Sequence, residues 1–105
     1  MLIVQVNGLL FFAEAATVRA GLLTLVSAQR PTTVVVDLEA TPAVDLDGAD
    51  MLTEVHRQLA ETGVGLLLTR ADVTKLEMLR RAGALEAIGM ENIFETVRGA
   101  VASVT

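Results

Sequence analysis

Cysteine, tryptophan and tyrosine are all absent from this chain. Without thiols there is no disulfide framework, no thiolate nucleophile and no zinc ribbon. A single histidine, His56, excludes a histidine-rich metal centre. Aromatic residues make up only 3% of the chain, as Phe11, Phe12 and Phe94. The stacking platforms that hold single-stranded nucleic acids are therefore missing, and the three rings read as core. Basic residues are scarce: 8 Lys and Arg face 13 Asp and Glu, for a net charge of −5. That is the wrong sign for neutralising phosphates, so nucleic acid is excluded as a partner. Long apolar runs are lacking too. Outside the N-terminal segment the longest uncharged stretch is Ala20 to Gln29, well short of the roughly 20 residues a spanning helix needs. The opening MLIVQVNGLLFF lacks the basic start of a secretory signal. The expectation is a soluble, cytoplasmic domain that does not itself insert into a membrane.

Apolar residues are abundant, at 52% of 105 residues. A single domain over residues 1–105 is expected, since a chain of this length buries roughly two-thirds of its unfolded surface. Leu2 to Val6 is an apolar, β-branched run. Asn7-Gly8 then precedes a second apolar run, Leu9 to Phe12, which predicts an N-terminal hairpin. From Glu14 the period becomes helical, with Ala15, Val18, Leu22 and Leu25 on one face and a stop at Gln29-Arg30-Pro31. Thr33 to Leu38 reads as a strand covered on both faces. A second helix is predicted from Asp47-Gly48, with Leu52, Val55 and Leu59 inward, Asp47 as N-cap and Asp50 completing a weakened capping box. Val64 to Leu68 is another buried strand, and Ala71 to Arg81 a third helix ending at Gly83. Glu86 to Asn92 leads into a fourth helix carrying Ile93, Val97, Val101 and Val104, with a very short edge strand around Asn92-Ile93-Phe94. Alternating elements after a hairpin predict an α/β fold with a small mixed sheet and helices packed on it.

Five carboxylates fall between Asp37 and Asp50, namely Asp37, Glu39, Asp45, Asp47 and Asp50, with no Lys or Arg among them. Clustered carboxylates suit hard cations, and loops at the carboxyl ends of strands are where ligands bind in such sheets. The simpler reading is favoured: Asp47 and Asp50 serve the positive end of a helix and the rest face water. No nucleophile elbow, Walker lysine motif or dinucleotide-binding glycine pattern accompanies them, so neither a metal site nor an enzyme is expected. His56 lies on the flank of its helix and reads as a surface residue. Arg70, Lys75, Arg80 and Arg81 gather on the third helix and its entry. They read as a solvated face, with a shallow anion or acidic-partner site as the alternative.

Four segments in order carry a resemblance. Leu10-Phe11-Phe12-Ala13-Glu14-Ala15, Val34-Val35-Val36-Asp37-Leu38-Glu39-Ala40 and Val44-Asp45-Leu46-Asp47-Gly48 together resemble a STAS domain. The tail Ile88-Gly89-Met90-Glu91-Asn92-Ile93-Phe94-Glu95-Thr96-Val97 is similar to the version at the cytosolic C-terminus of SulP-type anion transporters. The resemblance implies the STAS, or anti-sigma factor antagonist-like, fold: a four- to five-stranded mixed sheet with an N-terminal hairpin and about four helices. It implies a non-catalytic regulatory domain of a SulP-type sulfate or other anion transporter, at the cytosolic face of the inner membrane. Its partner would be the transporter membrane domain or a regulatory protein, and a homodimer is compatible with it. The alternative within the family is a free-standing partner-switching protein of the antagonist type.

In antagonists a serine or threonine opens the second helix, in a pattern like Asp-Ser-Ser-Gly, and a partner kinase phosphorylates it. Aligned on Asp45 and Gly48, this chain carries Leu46 and Asp47, so Asp47 stands at the phosphoacceptor position and takes no phosphate from a serine kinase. A phosphoserine there would bring about −1.5 to −2 charges, at a helix end that favours anions; aspartate supplies −1 permanently. Nucleotide binding, GTP or ATP with magnesium, is the remaining option that the resemblance brings. It would use the loops Glu39–Gly48 and Thr69–Asp72, with Arg70 or Lys75 offsetting the acidic groups; otherwise no cofactor is expected.

Overall fold

The computed structural model describes the backbone of residues 1–5 and 12–105, and the side chains of residues 1–5 and 16–105. Strand β1 is Leu2–Gln5, and helix α1 is Phe12–Gln29. There follow β2 (Thr33–Asp37), α2 (Leu46–Glu61), β3 (Gly65–Thr69) and α3 (Val73–Arg81). The chain ends with the short helix α4 (Ala84–Ile88), a 3-10 turn, β4 (Ile93–Phe94) and α5 (Val97–Ser103).

The four strands lie in the order β1-β2-β3-β4, and every pairing among the described residues is parallel. This corrects the expected mixed sheet. Helices intervene between successive strands, and a helical crossover returns the chain to the sheet in the direction it left. The hairpin turn predicted at Asn7-Gly8 lies outside the described residues. So does its second strand, apart from Phe12, which opens α1 instead.

The central strands are buried on both faces, as their continuous apolar runs predict. Val34, Val35 and Val36 are fully inaccessible, and Leu66, Leu67 and Leu68 nearly so. Val34, Val36, Leu66 and Leu68 point into the larger core under α1, α2, α3 and α4. Val35 and Leu67 point the other way, against Ala100 of α5 and the partly buried Phe94. Each such side chain contributes roughly 1.5–3 kcal/mol of burial, which is why these two strands anchor everything placed at their ends.

Helix α2 buries Ala49, Met51, Leu52, Val55 and Leu59 on one face. Its outer face carries Arg57 between Glu54 and Glu61. The N-cap is Asp45 rather than Asp47. Asp45 has extended backbone and its Oδ1 accepts from the Gly48 N–H at 2.8 Å, so the helix starts at Leu46 and no capping box forms with Asp50. The third helix, by contrast, starts two residues later than expected, because Asp72 caps it by accepting from the Lys75 N–H. Of the segment expected to lead into the last helix, Glu86 to Ile88 belong to α4, which begins at Ala84, and Ile93 lies in β4 rather than in that helix. Gly83, at φ 80°, breaks α3 from α4, and Gly89, at φ 95°, ends α4.

Candidate functional site

All four strands end at one side of the sheet, and their last residues stand in a single register row: Gln5, Asp37, Thr69 and Phe94. Three of the strands end on a polar residue at this row. Asp37 is buried there, and donors surround its carboxylate. Gln5 Nε2 donates to Oδ2 at 3.2 Å, while the Thr69 hydroxyl and the Glu39 N–H each donate to Oδ1 at 3.2 Å. A buried carboxylate is tolerable only when partnered in this way.

The residue after β3, Arg70, turns the chain with a left-handed backbone at φ 57°. Its N–H donates to the Phe94 carbonyl at 3.1 Å, tying β3 to the edge strand. Its guanidinium pairs with Glu39, and its Nε lies 3.9 Å from Asp37 Oδ1. Arg70 therefore bridges the β2 and β3 exits.

Lys75 departs from the solvated face expected of it. Its side chain is 6% exposed, and Nζ donates to the Leu38 carbonyl at 2.7 Å, with Asp72 Oδ2 at 3.9 Å. The first turn of α3 is thereby fastened to the chain leaving β2. The same Leu38 carbonyl also accepts from the Thr41 N–H at 3.2 Å, so the start of the β2–α2 loop is fixed from two sides. Arg80, by contrast, is exposed and paired with Glu77.

The sequence-predicted residues thus fall into two groups. Asp37, Glu39 and Arg70 meet directly, and Lys75 joins them through the Leu38 backbone. Asp45 and Gly48 form the α2 cap, with Leu46 (50% exposed) and Asp47 in its exposed first turn. His56 is half-buried mid-helix, beside Arg57 and Ala87 in a surface groove. Sequence reasoning missed Gln5 and Thr69. Thr69 directly follows the apolar run Val64 to Leu68, and Gln5 is the one polar residue within Leu2 to Val6. Among the described residues no group of three or more His, Asp or Glu could hold a metal ion. No described helix is long and apolar enough to cross a membrane.

Chemically, this end of the molecule is a braced rim. Its buried carboxylate and buried ammonium are both engaged with neighbouring groups of the chain, while the start of α2 stands out with one aliphatic and one acidic side chain.

Comparison with known proteins places this architecture. The chain is 29% identical over 72 residues to a probable sulfate transporter 3.4 of Arabidopsis thaliana, which covers 69% of this chain but 11% of that protein. It thus spans about a tenth of that transporter's length. The crystal structure of a sulfate transporter family protein from Wolinella succinogenes superposes with a TM-score of 0.85 and 27% identity, over 97% of this chain and 82% of that one. The unphosphorylated anti-sigma factor antagonist SpoIIAA shares the fold, with a TM-score of 0.73 and 19% identity over 98% of this chain and 88% of its own. The family model of the STAS domain matches residues 1–100, and the chain accordingly belongs to the STAS domain family.

Proposed function

We propose that this chain is the regulatory, non-catalytic STAS domain of a SulP-type anion transporter, acting by protein contact through the start of α2. The observation that carries this reading is the combination at that end of the sheet: the buried Asp37 and Lys75 are engaged internally, while Leu46 and Asp47 are presented outward. An acid–base catalyst needs a titratable group within reach of a substrate. A docking surface needs a rigid support beneath exposed side chains, and the Asp37–Arg70–Glu39 and Lys75–Leu38 contacts supply it. The identity to the Arabidopsis sulfate transporter and the superposition on the Wolinella protein support anion transport as the setting. The partner is then the transporter's own membrane domain or a regulatory protein at the cytosolic face.

The test is anion uptake by cells carrying the native protein with Asp47→Lys. The reading expects an altered uptake rate with the protein present at wild-type level. Unchanged uptake would place the control surface elsewhere.

A second reading, a free partner-switching protein, is supported by the likeness to SpoIIAA in fold. On that reading Asp47 holds a permanent charge where the family's antagonists carry a phosphorylatable hydroxyl, and binding to the partner is constitutive.

A further inference from the structure

Where α1 and α2 end and β2 and β3 begin, an open groove of about 510 Å³ lies between the two helices. It stands at the far end of α2 from Asp47, and its first lining residue, Leu23, is about three turns into α1. Leu23, Val26, Leu59 and Val64 form its apolar wall. Leu59 is buried, while the other three are only partly covered by the core they pack against. A groove of this size, with apolar walls and a few polar groups, has the make-up of a small-molecule site.

Arg30 is the one charged residue that lines the groove among the described residues, and it is exposed. Among those residues its guanidinium enters no ion pair. Its backbone is left-handed, at φ 49°, and its N–H closes α1 by donating to the Val26 carbonyl at 2.8 Å. Glycine or asparagine usually holds such a position. Arginine there carries strain, which singles out its side chain. On the α2 side, Gln58 Oε1 is buried without a hydrogen-bond partner, and among the described residues its amide nitrogen has none either. A carboxamide in a partly buried place calls for a partner. The helix ends themselves contribute little field, because the Val26, Leu59 and Ala60 carbonyls already accept from the N–H groups of Arg30, Thr62, Gly63 and Val64. The free guanidinium therefore sets the charge of the groove.

We propose that this groove binds a free aliphatic monocarboxylate, its carboxylate held by Arg30 and the Gln58 amide and its hydrocarbon tail lying along Leu23, Val26, Leu59 and Val64. A guanidinium grips a carboxylate through two parallel N–H donors. The Gln58 amide adds a neutral donor, and no described carboxylate lines the groove to repel the ligand. The tail separates this ligand from an inorganic anion, which would gain nothing from four apolar side chains. The carboxyl end of a protein fits less well, since its main chain would bring N–H and C=O groups that need partners of their own.

The experiment follows the methyl signals of the purified chain by NMR as octanoate is added. Octanol, sulfate and acetyl-leucine serve as comparisons, and Arg30→Gly as the variant. Glycine accepts the left-handed backbone at residue 30, so this variant keeps the fold, as its spectrum checks. Octanoate is expected to shift the Leu23, Val26, Leu59 and Val64 methyls saturably. Arg30→Gly is expected to weaken that binding about tenfold or more, through loss of a charge-assisted pair. Octanol and acetyl-leucine are expected to bind more weakly than octanoate, and sulfate to leave these methyls unmoved. Absence of saturable shifts overturns the proposal, and so do shifts centred on methyls elsewhere. Octanoate binding that Arg30→Gly leaves unchanged, or octanol binding as tightly, overturns it as well. Tighter binding of acetyl-leucine would overturn it too, and assign the groove to the carboxyl end of a protein.

Discussion

Asp37 and Thr69 are register partners at the ends of β2 and β3, and the Thr69 hydroxyl donates to Asp37 Oδ1 at 3.2 Å across the two strands. The same oxygen accepts from the Glu39 N–H, and the other from Gln5. One buried carboxylate therefore ties together β1, β2, β3 and the start of the β2–α2 loop.

Replacing Asp37 by Ala strands the Thr69 hydroxyl and the Gln5 amide next to a void. The expected loss is about 2–3 kcal/mol, from orphaned buried donors and lost hydrogen bonds to a carboxylate. Thr69→Val removes one donor and keeps the volume, and is expected to cost about 1 kcal/mol. Urea unfolding of both variants checks the order; equal stabilities would show that the carboxylate is not the tie described.

Lys75→Met keeps the apolar stem and removes the ammonium from the Leu38 carbonyl. Losing a buried charge offsets part of the lost bond, so the expected destabilisation is modest, about 1–2 kcal/mol. The local effect is the more specific one. Hydrogen exchange at the Thr41 amide, which donates to the same carbonyl, is expected to quicken more than exchange in β3. Uniform quickening across the domain would assign Lys75 to general stability only.

Asp45 and Asp47 are two residues apart and do different work. Asp45→Ala removes the cap on the Gly48 N–H and is expected to cost about 1 kcal/mol. Asp47→Ala loses only a favourable charge near the helix N-terminus, about 0.3–1 kcal/mol. Thermal melts compare the two. The reverse order would move the cap to Asp47.

Two surface pairs set a pH response. A side-chain hydrogen bond from Arg57 holds the Glu54 carboxyl below the usual carboxylate range, and Arg80 does the same for Glu77. Carboxyls lowered by folding stabilise the native state above the ordinary carboxylate pKa. That contribution disappears as pH falls through their lowered values. Both pairs stand in solvent, so the effect on stability is small. NMR titration of the Glu54 side chain is expected to shift back toward the ordinary range in Arg57→Gln, and an unmoved midpoint would contradict the pairing.

With Arg70 paired to Glu39 and Lys75 bonded to Leu38, neither cation at this rim is offered to a phosphate. Calorimetric titration of GTP or ATP with magnesium is accordingly expected to give no heat at millimolar ligand. A saturable heat that Arg70→Ala abolishes would restore the nucleotide reading.

Much of this arrangement was legible in the chain. Continuous apolar runs at Val34–Val36 and Leu66–Leu68 announced strands covered on both faces, and the brief Ile93-Phe94 edge strand stood where expected. Strand direction was less accessible, because the Asn7-Gly8 signal suggested an antiparallel start while the described pairings depend on helical crossovers. The α2 boundary was misplaced because Asp47 reads as a good cap, whereas Asp45, with its extended backbone, is the residue that caps the helix. Helix α4 is too short to show a period and is bounded only by Gly83 and Gly89. Lys75 misled for a different reason: a cation on a polar helix reads as solvated, and only the fold reveals that its ammonium reaches the Leu38 carbonyl. The left-handed turn at Arg70 has no sequence mark, since glycine is the residue that normally announces one.

The most direct test of the transporter reading is the size and location of the native protein, followed with an antibody to this domain in separated membrane and soluble fractions of its source cells. The account predicts a band far larger than the 11.1 kDa of this chain, confined to the membrane fraction. A soluble band near 11.1 kDa would contradict it and make the chain a free STAS protein.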